Sequence, residues 1–336
     1  MQSGSKVGRG NKANAAFFLV VLAVSAAFAV YSLTPAHKTQ QGTPLGPAVQ
    51  ATSQGLSSFQ SYSELQAFVA ANAKSAQAYN NYGGARFIGG PEVFNGDFGG
   101  IAAGVAGPAE QGAVSAPSAS PSNPSFSGTN VQVQGVDEPD LVKTDGAHLF
   151  VATNGTSNSA PSGSVSIMNA YPPTSASILS TIRLPGAQVL GIEVAQNRLL
   201  VIDQRYSNTA FIGLILYDTS NLSSPVLMNN ETIAGNFVAA RLVQGYVYAI
   251  VQQPSYRFIP QGNATGVMPS VTANGKTGDL PPTSVYYSPV ITQIGEYTMI
   301  VSVGMVSGTE NTLSVLTGPS STVYVSTSNI YLVYSN

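Results

Sequence analysis

Beyond residue 130 the chain is a succession of short apolar runs, most of them bounded by Gly, Pro, Asn or Asp. Runs such as 149–153, 189–194, 198–203, 211–217, 237–242, 246–251 and 297–303 alternate or are rich in β-branched residues, the character of pleated strands. No stretch there carries the 3.6-residue period of a strong helix. The runs recur at about four strands per forty to fifty residues, the period of a propeller blade. Similar pieces line up: Ala147-His-Leu-Phe-Val-Ala, Asn197-Arg-Leu-Leu-Val-Ile, Gly245-Tyr-Val-Tyr-Ala-Ile and Asn329-Ile-Tyr-Leu-Val-Tyr. The segments beginning at Ser164, Ile212 and Thr312 fit the adjacent strands, and those beginning at Ala176 and Pro225 fit outer strands. A sandwich would have the same short strands without this repeat. The expected class is therefore all-β, a propeller over residues 129–336.

Counting repeats gives about three blades and a started fourth, where closed propellers have four to eight. The pattern stops at Tyr331-Leu-Val-Tyr-Ser-Asn336, inside an apparent strand pair. The expectation is an incomplete propeller with C-terminal blades missing. It is either truncated, half of a split propeller, or completed by a partner chain over its open edges.

The first 128 residues are of another kind. Residues 1–12 are polar and hold Lys6, Arg9 and Lys12, while residues 13–33 are uncharged and mostly apolar. That length crosses a bilayer as a helix, and the flanking basic residues place residue 1 in the cytoplasm and the bulk of the chain outside. The competing reading is a signal peptide cleaved near Ala27-Phe28-Ala29, leaving a secreted product. Sequons at Asn154, Asn221, Asn230 and Asn263 all follow the apolar stretch and are candidate glycosylation sites. Residues 34–58 read as a flexible stalk. Ser61 and Glu64 form a capping box, and Leu65, Phe68, Val69 and Ala76 recur at helical spacing, which predicts one amphipathic helix over 59–80. Residues 81–128, rich in Gly, Ala, Ser and Pro, read as a linker; their paired glycines lack the Lys-Ser/Thr of a phosphate loop.

Composition removes several function classes. The chain of 336 residues has no cysteine and only His37 and His148, which excludes thiolate metal centres, Cys nucleophiles and multi-histidine sites. A net charge of −2 gives no basic field for nucleic acid. Charged residues are 8% of the chain, far below the usual proportion of about a quarter. Few carboxylates means few groups to disturb folding in acid, which fits an extracellular face in an acidic medium.

Against that background, residues 130–153 stand out, with Asp137, Glu138, Asp140 and Asp145 within nine residues. The stretch Thr129-Asn-Val-Gln-Val-Gln-Gly-Val-Asp-Glu-Pro-Asp-Leu-Val-Lys-Thr-Asp-Gly146 resembles the lead-in to the C-terminal β-propeller of secreted or membrane-anchored archaeal and bacterial proteins. Matching pieces are 217–225, 235–243 with 245–248, and 321–331; the likeness covers most of 59–80 and 129–336. It implies the fold and brings no agreed activity and no catalytic residues.

The four carboxylates offer oxygen ligands of the kind Ca²⁺ takes, although their spacing is not that of an EF-hand. The alternative is structural: turn carboxylates that accept backbone N–H bonds and pair with Lys143 or Arg241. Arg241 lies in the apolar run Val238-Ala-Ala-Arg-Leu-Val, where a buried ion pair is expected. Glu193, Asp203 and Asp218 read as strand terminators, and His148 as structural. No cofactor and no catalytic set follow. Two functions are carried forward: a membrane-anchored extracellular propeller that binds a protein or glycan, and an extracellular hydrolase of glycan or peptide with its site at the propeller channel.

Overall fold

The computed structural model describes residues 17–24, 49–51, 56–81, 133–155, 161–259, 263–289, 295–317 and 320–335. The expected cytoplasmic segment 1–12, most of the stalk and all of the expected linker 81–128 but its first residue lie outside the described residues. Three early strands, β1 (Phe17–Val24), β2 (Val49–Ala51) and β3 (Ser57–Ser58), precede helix α1 (Tyr62–Asn81). β4 (Val136–Asp137) then opens the β-rich region.

Three blades follow. The first is a meander of β5 (Val142–Thr144), β6 (His148–Gly155), β7 (Ser162–Asn169) and β8 (Ser177–Pro185). The second comprises β9 (Ala187–Ala195), β10 (Arg198–Tyr206), β11 (Ala210–Asp218) and β12 (Val226–Ala234). The third begins with β13 (Asn236–Val243) and β14 (Tyr246–Pro254). An insertion then supplies β15 (Tyr256–Phe258), β16 (Ala264–Gly266), β17 (Ser270–Ala273), β18 (Lys276–Asp279) and β19 (Val285–Tyr287) before β20 (Glu296–Gly304) and β21 (Glu310–Thr317) complete the blade. The β17–β18 hairpin extends the outer edge of the second blade, and β19 runs parallel to β21. The strands expected from the repeat are thus real ones, with β6, β10, β14 and β23 (Asn329–Ser335) as the second strands.

Hairpins are tight where the sequence allows it. Gln196-Asn197, Gln244-Gly245 and Asn274-Gly275 each place two residues at positive φ, between 50° and 82°. That is the type I′ geometry, whose twist matches the flanking strands. The two inner strands of the second blade, β10 and β11, are buried on both faces, which explains runs such as Leu199-Leu200-Val201-Ile202. Leu199 and Val201 enter a core shared with the first blade; Leu200 and Ile202 enter a larger one shared with the third.

The fourth sheet departs from expectation. Its order is β2-β1-β23-β22, with β22 spanning Ser320–Val325. Two strands come from the end of the chain and two from its beginning. β1 pairs antiparallel with β23 from Phe17↔Ser335 to Ala23↔Asn329. Within the stretch expected to cross a membrane as a helix, 13–33, the described residues are therefore a strand. No helix of the described residues is long and apolar enough to cross a membrane. The physical reason is that Phe-Phe-Leu-Val-Val-Leu-Ala-Val is aromatic and β-branched, and it satisfies its backbone as well along an open sheet edge as inside a helix.

α1 starts at the expected box, shifted by one residue at one bond. Glu64 N–H donates to Ser61 Oγ at 3.2 Å, and Glu64 Oε2 accepts from Gln60 N–H at 2.7 Å. Leu65, Val69 and Ala73 are buried at four-residue spacing. Phe59, Phe68 and Tyr287 stack with centroids 4.6–5.1 Å apart, seating the helix on the insertion of the third blade.

Candidate functional site

The first strand of each blade lies at or beside one sheet edge, and residues 133–144 run along those edges. β4 hydrogen-bonds to β13 of the third blade through Asp137↔Leu242 and Val136↔Val243. Asp140 bridges Ile192 of β9 in the second blade. β5 is itself the first strand of the first blade. Gly135 lies against Thr327, in the turn between β22 and β23, and the Gln244 amide donates to the Thr327 carbonyl. All four blades therefore meet this segment.

Three first strands each send one charged side chain into it. Lys143, on β5, is buried, and its ammonium stands 2.9 Å from Asp137 Oδ2 and 3.2 Å from Glu193 Oε2 on β9. It also donates to the Glu138 carbonyl at 2.6 Å. Arg241, on β13, holds Glu138 Oε1 at 2.9 Å and donates to the Ala240 carbonyl at 2.7 Å. Glu193 is wholly buried, and neither of its carboxylate oxygens has a hydrogen-bond partner; Oε2 meets the Lys143 ammonium as an ion pair. Burial pushes its carboxyl up to about 7, against the pull of Lys143 and with a further push from Asp137. Two cations face three carboxylates, so the knot carries one net negative charge when Glu193 is ionised and none when it holds a proton.

Beside the knot is a cavity of about 20 Å³, lined by Val133, Val136, Glu138, Arg241 and three residues of β22, Val323–Val325. That is room for one water molecule. This arrangement can store a proton near neutrality and pin three blades to one segment. It offers a substrate no space.

The four carboxylates considered as a cation site are not brought together. Asp137 faces Lys143, and Glu138 faces Arg241. Asp140 Oδ1 accepts the Leu141 N–H, while Asp145 accepts the N–H groups of Ala147 and His148 and pairs with the His148 ring at 2.9 Å. Partial burial alone would raise Asp145, but those hydrogen bonds hold it below its ordinary value. Among the described residues no three His, Cys, Asp or Glu side chains converge to hold a metal. Of the sequon asparagines, Asn154 is tied across to the next blade: its amide donates to the Val189 carbonyl at 2.9 Å and accepts the Val189 N–H at 2.7 Å. Asn221 is exposed in a turn, and its Oδ1 accepts the Ser223 N–H.

Glu193 is the residue that sequence reasoning missed. The signal was available, because Glu193 sits between Ile192 and Val194 just as Arg241 sits between Ala240 and Leu242. Asp203 is another buried carboxylate. Its Oδ2 accepts two bonds from Arg205, at 2.8 and 3.2 Å, and its carboxylate lies over Gly213, where a Cβ would come within 2.3 Å of Oδ1.

Two archaeal proteins are similar to this chain over part of its length. An uncharacterized protein of Archaeoglobus fulgidus is 26% identical over 219 residues, 63% of this chain and 32% of its own length. An uncharacterized protein of Methanocaldococcus jannaschii is 28% identical over 216 residues, 62% of this chain and 29% of its own. The chain thus spans about a third of the length of the curated relatives it matches. No solved structure matches. The family described as Beta propeller domain matches residues 126–336, well over half of the chain. With three four-stranded meanders, a fourth sheet and their first strands gathered on one segment, the chain belongs to the Beta propeller domain family.

Proposed function

We propose that this chain is a binding module: an extracellular propeller that holds a protein or glycan on its outer surface. The observation that carries this reading is the filled centre. Lys143, Asp137, Glu138, Glu193 and Arg241 are committed to one another around a cavity the size of one water. A hydrolase needs carboxylates that reach a cleft wide enough for its substrate. A scaffold locked at its centre leaves its loops and blade edges for recognition.

One feature favours the hydrolase alternative: a carboxyl titrating at about 7 beside a second carboxylate is the pairing of a general acid. Glycan and peptide arrays probed with the full chain, run beside turnover assays on the same panels, separate the two readings. Retention of a ligand without product supports the binding module. Turnover that Glu193→Gln abolishes overturns it. Protease treatment of intact cells tests the placement: loss of a propeller epitope is expected, and its protection would refute the reading.

A further inference from the structure

The seam between the second and third blades holds two carboxylates with no counter-ion. Asn229, Glu231 and Ile233 alternate on the buried face of β12. Glu231 is 1% exposed, and its side chain meets Glu310 and Thr312 of β21. Among the described residues neither glutamate forms an ion pair. Glu231 Oε2 is buried with no hydrogen-bond partner. Asn229 marks where further oxygens converge: its amide nitrogen donates to the Gly308 carbonyl at 3.3 Å and to Glu310 Oε1. An open depression of about 380 Å³, lined by Met228, Asn229, Asn274, Ser307, Gly308 and Glu310, brings solvent to Glu310, the outer member of the pair.

Two carboxylates cannot stay in contact and ionised in a buried seam unless a positive charge joins them, and that charge is either a proton or a cation. With a proton, Glu231 carries it. With a cation, every donor on hand is a hard oxygen: two carboxylates, the Gly308 carbonyl, the Thr312 hydroxyl and water from the depression. We propose that Glu231 and Glu310 form a calcium site that clasps the second blade to the third. Calcium suits it better than magnesium because the donors come from two separate sheets and set no strict octahedron. The cation displaces the shared proton, so proton and calcium compete for one place.

The test is calorimetric titration of the full chain with calcium chloride at pH 8 and at pH 6. The proposal requires one calcium per chain at pH 8. Affinity should fall by about tenfold per pH unit as the proton competes. The Glu231→Gln/Glu310→Gln variant should bind none, while Asp137→Asn, in the central knot, should bind as before. The double variant removes a buried like-charge pair at constant shape, and circular dichroism verifies its fold. Should it fail to fold, the pH arm with unaltered protein decides alone. No heat at pH 8, an affinity equal at pH 8 and pH 6, binding retained by the folded double variant, or binding lost in Asp137→Asn would each overturn the proposal.

Discussion

Lys143 illustrates how much one side chain can depend on its protonation partners. Its ammonium stands between Asp137, Glu193 and the Glu138 carbonyl, and all three lie on different strands or connections. Replacing Lys143 by methionine keeps the buried stem and deletes the charge, which leaves carboxylates without compensation. Breaking a buried pair from one side costs on the order of 3–5 kcal/mol. Here the cost depends on pH, because Glu193, raised to about 7, escapes the penalty by taking up a proton. Lys143→Met is expected to be mildly destabilised at pH 5 and severely so at pH 8, read from urea midpoints at the two pH values. Equal losses at both would mean that Glu193 does not titrate in this range. Arg241 is expected in a buried pair from its apolar neighbours; it meets the Glu138 carboxylate, but Glu138 is partly exposed, so the pair lies at the surface of the knot. Glu193 was not singled out because a short strand with one charge near its end reads equally well as a strand stopping.

Elements were legible where local pattern and tertiary context agree. The meanders of the first and second blades fall where the turn residues and apolar runs place them, since each strand pairs with its sequence neighbour. Context won elsewhere. The β17–β18 hairpin joins the second blade although it lies within the third in sequence, and β19 pairs in parallel with β21, neither of which a local pattern can announce. The strand at 17–24 makes the same point, because an apolar aromatic run carries no local mark that separates a helix from a sheet edge. α1 is a case of agreement, and its docking can be tested. Val69 packs so closely on Gly266 of β16 that a Cβ there would come within 2.7 Å of the valine methyl. Gly266→Val is expected to lift the helix off the insertion at a cost of about 1–3 kcal/mol, the usual range for overpacking. Faster proteolysis within 56–81, with the blades intact, is the expected signature; cleavage unchanged from the parent would show that the helix is held elsewhere.

At the scale of the molecule, the buried carboxylates set a direction for stability against pH. Glu193 and Glu231 titrate above their ordinary value of 4.5, at about 7 and about 8, because burial penalises their charged forms. The unfolded chain therefore ionises first as pH rises. Their favourable contribution is complete below 4.5 and is lost between 4.5 and 8. For Glu193 alone the loss is on the order of 3 kcal/mol. Asp145 works in the opposite sense: its depressed carboxyl adds stability above its ordinary value of 3.8, which disappears only in stronger acid. With just 15 acidic residues in the chain, few other groups counter this trend. Thermal melts in chelator should thus peak near pH 4.5 and fall steadily toward pH 8, a profile suited to an acidic exterior. Glu193→Gln/Glu231→Gln should lose much less between pH 5 and pH 8 than the parent, with a smaller slope left by Glu296 and Glu310, which burial also raises. Calcium should flatten the parent's slope above pH 7 and leave that of the double variant unchanged, because only the parent has a proton to exchange for the cation. A parent chain that gains stability from pH 5 to pH 8 in chelator would mean that these carboxyls are charged and satisfied in the folded state, contrary to the burial that sets both sites.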